Sequence, residues 1–360
     1  MGWSVSRRDF LALAIGAVTA PEWKRYADPA TELEVIRVTD PAFTSGMTAP
    51  HLRQFTRHSE YLLAWSERTA TRQAFLTDLK SGEFLELTDA KALDVSTLCL
   101  SADDKSFLYF DGADLSESPL LKPAPRPIYR VPEGAVRTGF TLAGDGSVFF
   151  AERAAGRTRV MRLSRQQARK AFELDAEVDG LMARPGNLRT RLQLVWRQQG
   201  ALWISATDGS GRRPLKTEPG KTGAALWIPS GRTLIYLHIP DAPKELITLR
   251  EHNPDTGADT LLAKTTQYIS ASPNADASVF VAASGSVASP YVLILLRSVR
   301  RELTLCEHHA SNAAMVNPVF TPDSRNVLFV SDRHGKPAIY MMPVARFVEE
   351  TAADEEPAKR

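Results

Sequence analysis

The chain lacks several features that would each point to a function. It has two cysteines in 360 residues, Cys99 and Cys306. Two cannot build a disulfide framework. Each lies in an apolar run and reads as a buried free thiol. No 18 consecutive residues are apolar, which excludes a spanning helix in the body of the chain. There is no Cys-x-x-Cys pair for zinc and no G-x-x-x-x-G-K-S/T phosphate loop. The G-x-S-x-G elbow of common serine hydrolases is also missing. Charge of one sign is scarce: 44 Lys and Arg face 42 Asp and Glu, a net +2. That balance gives no basic face for nucleic acid, so no nucleic-acid partner is expected.

What is present begins with an address. The N-terminus reads MGWSVSRRDFLALAIGAVTAPEW. Arg7 and Arg8 stand before Phe10 and Leu11, and a short apolar run reaches Ala20. A charged start, about ten apolar residues and small residues after them describe an export signal rather than a span. The S-R-R-x-F-L order resembles the bacterial twin-arginine signal, a receptor-read address. Residues 1–20 are therefore expected to direct export to the periplasm. Pro21 follows Ala20 directly and is poor for cleavage, so a retained signal tethering the protein to the membrane is the alternative. Residues 21–31 read as a linker. The charged tail, 347–360, reads as disordered.

Between them runs a repeat. LSADDKSFLYF (100–110), LAGDGSVFFAE (142–152), IPSGRTLIYLH (228–238), SPNADASVFVA (272–282) and TPDSRNVLFVS (321–331) each place a Ser/Pro/Asp/Gly turn before a β-branched and aromatic run. Weaker copies fall at 55–65 and around Pro185 to Trp196. A second strand follows each copy, often with an Asp/Gly turn and another strand. Four short strands in roughly 40–50 residues describe a propeller blade. The count is seven, at about 51–89, 94–134, 137–175, 178–217, 222–263, 267–307 and 315–345. The last lacks a fourth strand, which LEVIRVTD (33–40) can supply, closing the ring and removing two exposed edges. The expectation is an all-β, seven-bladed propeller over 32–346. The Pro-rich stretch within 111–135 reads as a loop rather than an eighth unit.

Two resemblances follow. PVFTPDSRNVLFVSDRHGKPAIYMM (318–342) resembles the TolB-type propeller repeat, which implies a fold and no function. LEVIRVTDP, then LLAWSERTATRQAFLTDLKSGEFLELTD, LSADDKSFLYFDGADL and IYRVPEG, resemble in their order the oligogalacturonate lyase family. That resemblance implies a seven-bladed enzyme that cleaves pectin-derived uronides by β-elimination with a divalent metal, usually manganese. A base must remove the proton at C5 of a uronate, and the neighbouring carboxylate must be neutralised by a cation. The family's Gln-x-x-His-x-His-Pro run matches Asn312, Met315 and Asn317 before Pro318. Its further metal His matches QYISAS (267–272), without His. Where its base His precedes the Trp-Ser-Pro turn, Leu226 precedes Trp227. The inherited lyase site is expected to be absent, so no catalytic residue is named.

A replacement site is conceivable. Second-to-third strand loops and links between blades share one propeller face. That face should carry His51, His238, His308 and His309, the weak candidates for a metal, and Arg157, Arg197, Arg333 and His334, weak candidates for ligand binding. An Arg fork suits a carboxylate. The preferred expectation is a binding protein for an acidic oligosaccharide or a cell-envelope protein. The alternative is a lyase with relocated ligands, which alone would need manganese.

Overall fold

A computed structural model describes residues 20–164, 167–186, 192–242 and 244–348. The expected signal residues Arg7, Arg8, Phe10 and Leu11, and the end of the tail from 349, lie outside the described residues.

Seven sheets form the ring. Blade 1 comprises Ser45–Met47, Tyr61–Thr69, Thr71–Asp78 and Phe84–Glu86. Blades 2 to 6 run in the same antiparallel order, beginning at Leu93, Val136, Asp179, Lys221 and Tyr268. Blade 7 comprises Val319–Phe320, Asn326–Ser331 and Ala338–Pro343, and takes Glu34–Arg37 as its outer strand. Ile36 pairs with Met341 and Arg37 with Tyr340, so the ring is closed from the N-terminus as the sequence predicts.

Each blade buries both of its faces. Along Asn326–Ser331, Val327 and Phe329 pack toward blade 6 while Leu328 and Val330 pack toward blade 1. Successive strand side chains point to opposite faces, so a strand buried on both sides reads as an unbroken apolar run rather than an alternating one. Seven such clusters, one per blade junction, make up the core. Cys99 and Cys306 are buried free thiols in two of them.

Three expectations change. The segment taken as a linker forms a fifth strand, Lys24–Ala27, on the outer edge of blade 7. It is short, polar and mostly exposed, so no apolar pattern marks it. The Pro-rich stretch is not a loop: it carries Asp114–Pro119 and Arg126–Arg130, the outer half of blade 2. Pro119 ends its strand and Pro127 lies in the outermost one, where a missing N–H costs no ladder bond. The tail's first residues, Phe347 and Val348, pack against the junction of blades 6 and 7. Blade 1 also begins earlier than expected, its inner strand interrupted between Met47 and the Phe55–Leu62 bridge.

Candidate functional site

The ring has two ends. Loops after second strands and links between blades form one face, called here the loop face. The turns joining first to second strands form the other, the turn face.

His238, at the end of the second strand of blade 5, is buried. Its Nε2–H donates to the Pro219 carbonyl at 2.7 Å, and Thr248 Oγ1 lies 3.3 Å from Nδ1. His308 is buried in the link between blades 6 and 7. Its Nε2–H donates to the Ser284 carbonyl at 3.0 Å, and Nδ1 accepts from the Ala310 N–H at 3.0 Å. Both nitrogens are spent, which fixes one neutral tautomer and leaves no lone pair for a metal. Burial lowers its pKa first, with the neighbouring His309 and Arg333 acting in the same direction. His309 turns away to Glu307, 2.7 Å from Nε2. Its φ is +46°.

His334 Nδ1 lies 2.9 Å from the Tyr340 hydroxyl, with its ring stacked on Tyr340 and edge-on to Tyr26. Beside it, Arg333 reaches inward. Its Nη1 donates to the Glu307 carbonyl at 2.7 Å and lies 3.6 Å from buried Asp28. The Arg333 side chain is only 7% exposed, so the N-terminal segment walls it off from any ligand. His51 is not on the loop face. It sits in the interrupted inner strand of blade 1, and its Nε2–H donates to the Phe140 carbonyl of blade 3 at 3.0 Å.

The histidines thus share a region without converging. Among the described residues no three His, Cys, Asp or Glu side chains approach closely enough to hold a metal. The positions that the resemblance assigns to the metal do not fit manganese either. Asn312 accepts from the Ala314 N–H at 3.0 Å and caps the short helical turn Ala313–Met315. Asn317 donates to the Ala314 carbonyl at 2.9 Å, and Met315 packs against the junction of blades 7 and 1. The Asn312 oxygen is committed to the local backbone, Asn317 is held there through its N–H, and a thioether is a poor partner for a hard cation.

The arginines of blades 3 and 4 differ from Arg333. Arg157 is 65% exposed and bridges Glu173 at 3.5 Å and Asp175 at 3.2 Å. Arg197 donates to the Gly223 carbonyl at 2.5 Å and meets Asp179 at 3.5 Å. Arg153 pairs with Glu177 at 2.6 Å. Arg157 faces solvent and Arg153 and Arg197 are half-buried on one arc of the loop face, while Asp175, Glu177 and Asp179 are exposed, so an incoming carboxylate competes with weak pairs.

The turn face holds what the sequence reading missed. A cavity of about 580 Å³ opens at the channel end there, lined by Arg53, Trp227, Pro229, Phe320 and Pro322 among others. Its signal was present in the repeats: Pro185, Pro229 and Pro322 occupy the same turn position in blades 4, 5 and 7.

No protein-family profile matches the chain. It is 22% identical over 374 residues to an oligogalacturonide lyase of Pectobacterium atrosepticum, covering 89% of this chain and 95% of that one. It is 21% identical over 385 residues to an oligogalacturonate lyase of Dickeya dadantii, covering 92% and 98%. A solved oligogalacturonate lyase in complex with manganese superposes with a TM-score of 0.86 at 20% identity, covering 93% of this chain and all of that one.

Proposed function

The chain is an oligogalacturonate lyase-like seven-bladed propeller, a distant homologue over nearly its whole length, and from that premise we propose that it binds an acidic oligosaccharide without cleaving it. One observation carries this reading. The positions matching the family's metal ligands hold two amides bonded to the local backbone and a packed thioether, while Leu226 stands where a base would be. The arc of Arg153, Arg157 and Arg197 supplies cations suited to uronate carboxylates. The twin-arginine-like start supports a periplasmic setting for this binding.

The test is calorimetric titration of trigalacturonate into the purified protein, together with the ultraviolet absorbance of the unsaturated uronate that β-elimination makes. Saturable binding, weakened about ten-fold by Arg157→Ala with Arg197→Ala, and flat absorbance with added manganese are expected. Rising absorbance that needs manganese would restore the lyase reading.

A second reading, a protein partner of the cell envelope, rests on a different observation. Ile239, Leu246, Ile269 and Val287 are exposed apolar side chains on the loop face of blades 5 and 6, Val287 at 96%. Exposed apolar clusters mark interaction surfaces. Capture of one envelope protein, lost in Val287→Asp, would favour it.

A further inference from the structure

The cavity on the turn face lies apart from the loop-face arginines, and Leu226, which stands where a base would be, is one of its lining residues. We propose that it is a separate binding site for a small ligand with an apolar body and a single carboxylate.

Its walls are built by the repeat. Pro185, Pro229 and Pro322 come from the turns of blades 4, 5 and 7 and edge the mouth, with Trp227, Pro273 and Phe320 at the strand ends beneath them. Proline rings carry no N–H and hold a fixed backbone, so this wall is apolar and already shaped. A pocket of this volume with mostly apolar lining and a few polar groups suits a small molecule. Two polar atoms of lining residues, Trp227 Nε1 and Gln54 Oε1, are buried behind the walls without a hydrogen-bond partner among the described residues.

The charge selects the ligand. Among the described residues Arg53 and Arg57 line the cavity, and no acidic side chain does. Asp104 stands behind them: Arg53 Nη2 donates to one of its oxygens at 2.5 Å, and the Arg57 backbone N–H donates to the other at 3.0 Å. One cation is thereby offset. The Arg57 guanidinium makes a single longer contact, Nη2 to the Ala102 carbonyl at 3.3 Å, and is exposed. His51, also at the wall, is kept neutral by burial. Among the described residues the balance is one free positive charge beside an apolar cup. A polyuronide would bring several carboxylates to one cation, and a neutral sugar would press its hydroxyls against proline and phenyl carbons. A monocarboxylate with an aromatic or aliphatic body meets both demands.

The probe is naphthoate, titrated calorimetrically into the full chain, with naphthyl methanol as its uncharged counterpart. Naphthoate should bind at one saturable site, about ten-fold or more tighter than the alcohol, since charge-assisted hydrogen bonds exceed neutral ones. Arg57→Ala should lose about ten-fold. Ala275→Trp, at an exposed lining position, should block the mouth. Thermal unfolding of both variants should match the parent, since each site is at the surface. Absence of saturable naphthoate binding would overturn the proposal, as would equal affinity for the alcohol or affinity unchanged in both variants. Trigalacturonate binding should survive Ala275→Trp. If it does while naphthoate fails, this inference falls alone. If trigalacturonate fails while naphthoate binds, the uronide reading falls alone. Competition between the two for a site closed by Ala275→Trp would overturn the claim of separate sites.

Discussion

Arg68 grips Glu22 with both arms, Nη1 to Oε1 at 2.7 Å and Nη2 to Oε2 at 3.1 Å. The pair ties the start of the described chain to blade 1. The guanidinium also lies 4.2 Å from the ring centre of Phe84 and 5.3 Å from that of Phe75. Glu22 further accepts from the Asp40 N–H at 2.8 Å. Ring closure therefore does not end at Glu34–Arg37 but extends to the segment before it.

Glu22→Ala should consequently cost about 2–4 kcal/mol, because it leaves a mostly buried guanidinium among aromatic rings without its anion. Arg68→Met keeps the packing and should cost less. The double variant should be more stable than the sum of the two losses predicts. Urea unfolding of the four proteins measures this; strict additivity would mean that the pair does not hold the segment.

A second stitch joins blades 4 and 5. Arg184 is 1% exposed, and its Nη1 and Nη2 donate to the two oxygens of Asp255 at 2.9 and 2.7 Å. Its Nε donates to the Gly231 carbonyl at 2.6 Å, and its guanidinium lies 5.2 Å from the Trp227 ring centre. Removing the anion should be severe: Asp255→Ala is expected to cost about 3–5 kcal/mol by stranding a buried cation. Asp255→Asn, which keeps one acceptor, should cost less. Equal unfolding midpoints for Asp255→Ala and the parent would show that the pair adds nothing.

Gly231, which accepts from Arg184, has φ +68°, and a Cβ there would fall 1.9 Å from the Pro185 carbonyl oxygen. Gly231→Ala must therefore strain the backbone and push the turns of blades 4 and 5 apart. It should lower the thermal midpoint well beyond the ~1 kcal/mol of a left-handed residue alone. Gly257→Ala has the same sign of φ, at +75°, with nothing near its Cβ, and supplies the control: similar losses in both would discount the clash.

The blades were legible because their signal is local. A turn such as TPDSRN followed by VLFVS carries both the reversal and the strand within a dozen residues. Lys24–Ala27 was not legible, since KRYA buries little and owes its pairing to Glu34–Arg37 across a turn. Pro127 misled because proline marks loops except on an outermost strand, and edge position is a tertiary fact. At the candidate site, chain topology placed His238, His308 and His309 near one face, but their partners lie elsewhere: Pro219, Ser284 and Glu307. The turn-face cavity draws residues from five blades, which no local pattern records beyond the recurring turn proline.

The buried imidazoles should make the fold acid-labile before its carboxylates do. His51, His252 and His308 all have pKa values held below the usual imidazole value, with burial as the leading cause. For His252 the Asp259 carboxylate opposes the shift without cancelling it. In the unfolded chain these rings take up protons near a pH of about 6.5, and in the folded protein only at lower pH. Between those limits the unfolded state binds more protons, so unfolding free energy falls as pH falls. Stability from these groups is fully present above about pH 7.5 and declines below about 6.5, by at most about 1.4 kcal/mol per pH unit for each ring. Urea unfolding between about pH 8 and pH 5.5 measures the slope. His51→Gln, whose amide can still donate to the Phe140 carbonyl, should flatten it by about one proton. A stability that holds level or rises on acidification through this range would mean that the three rings take up protons in the folded protein at least as readily as in the unfolded chain, against the burial seen here.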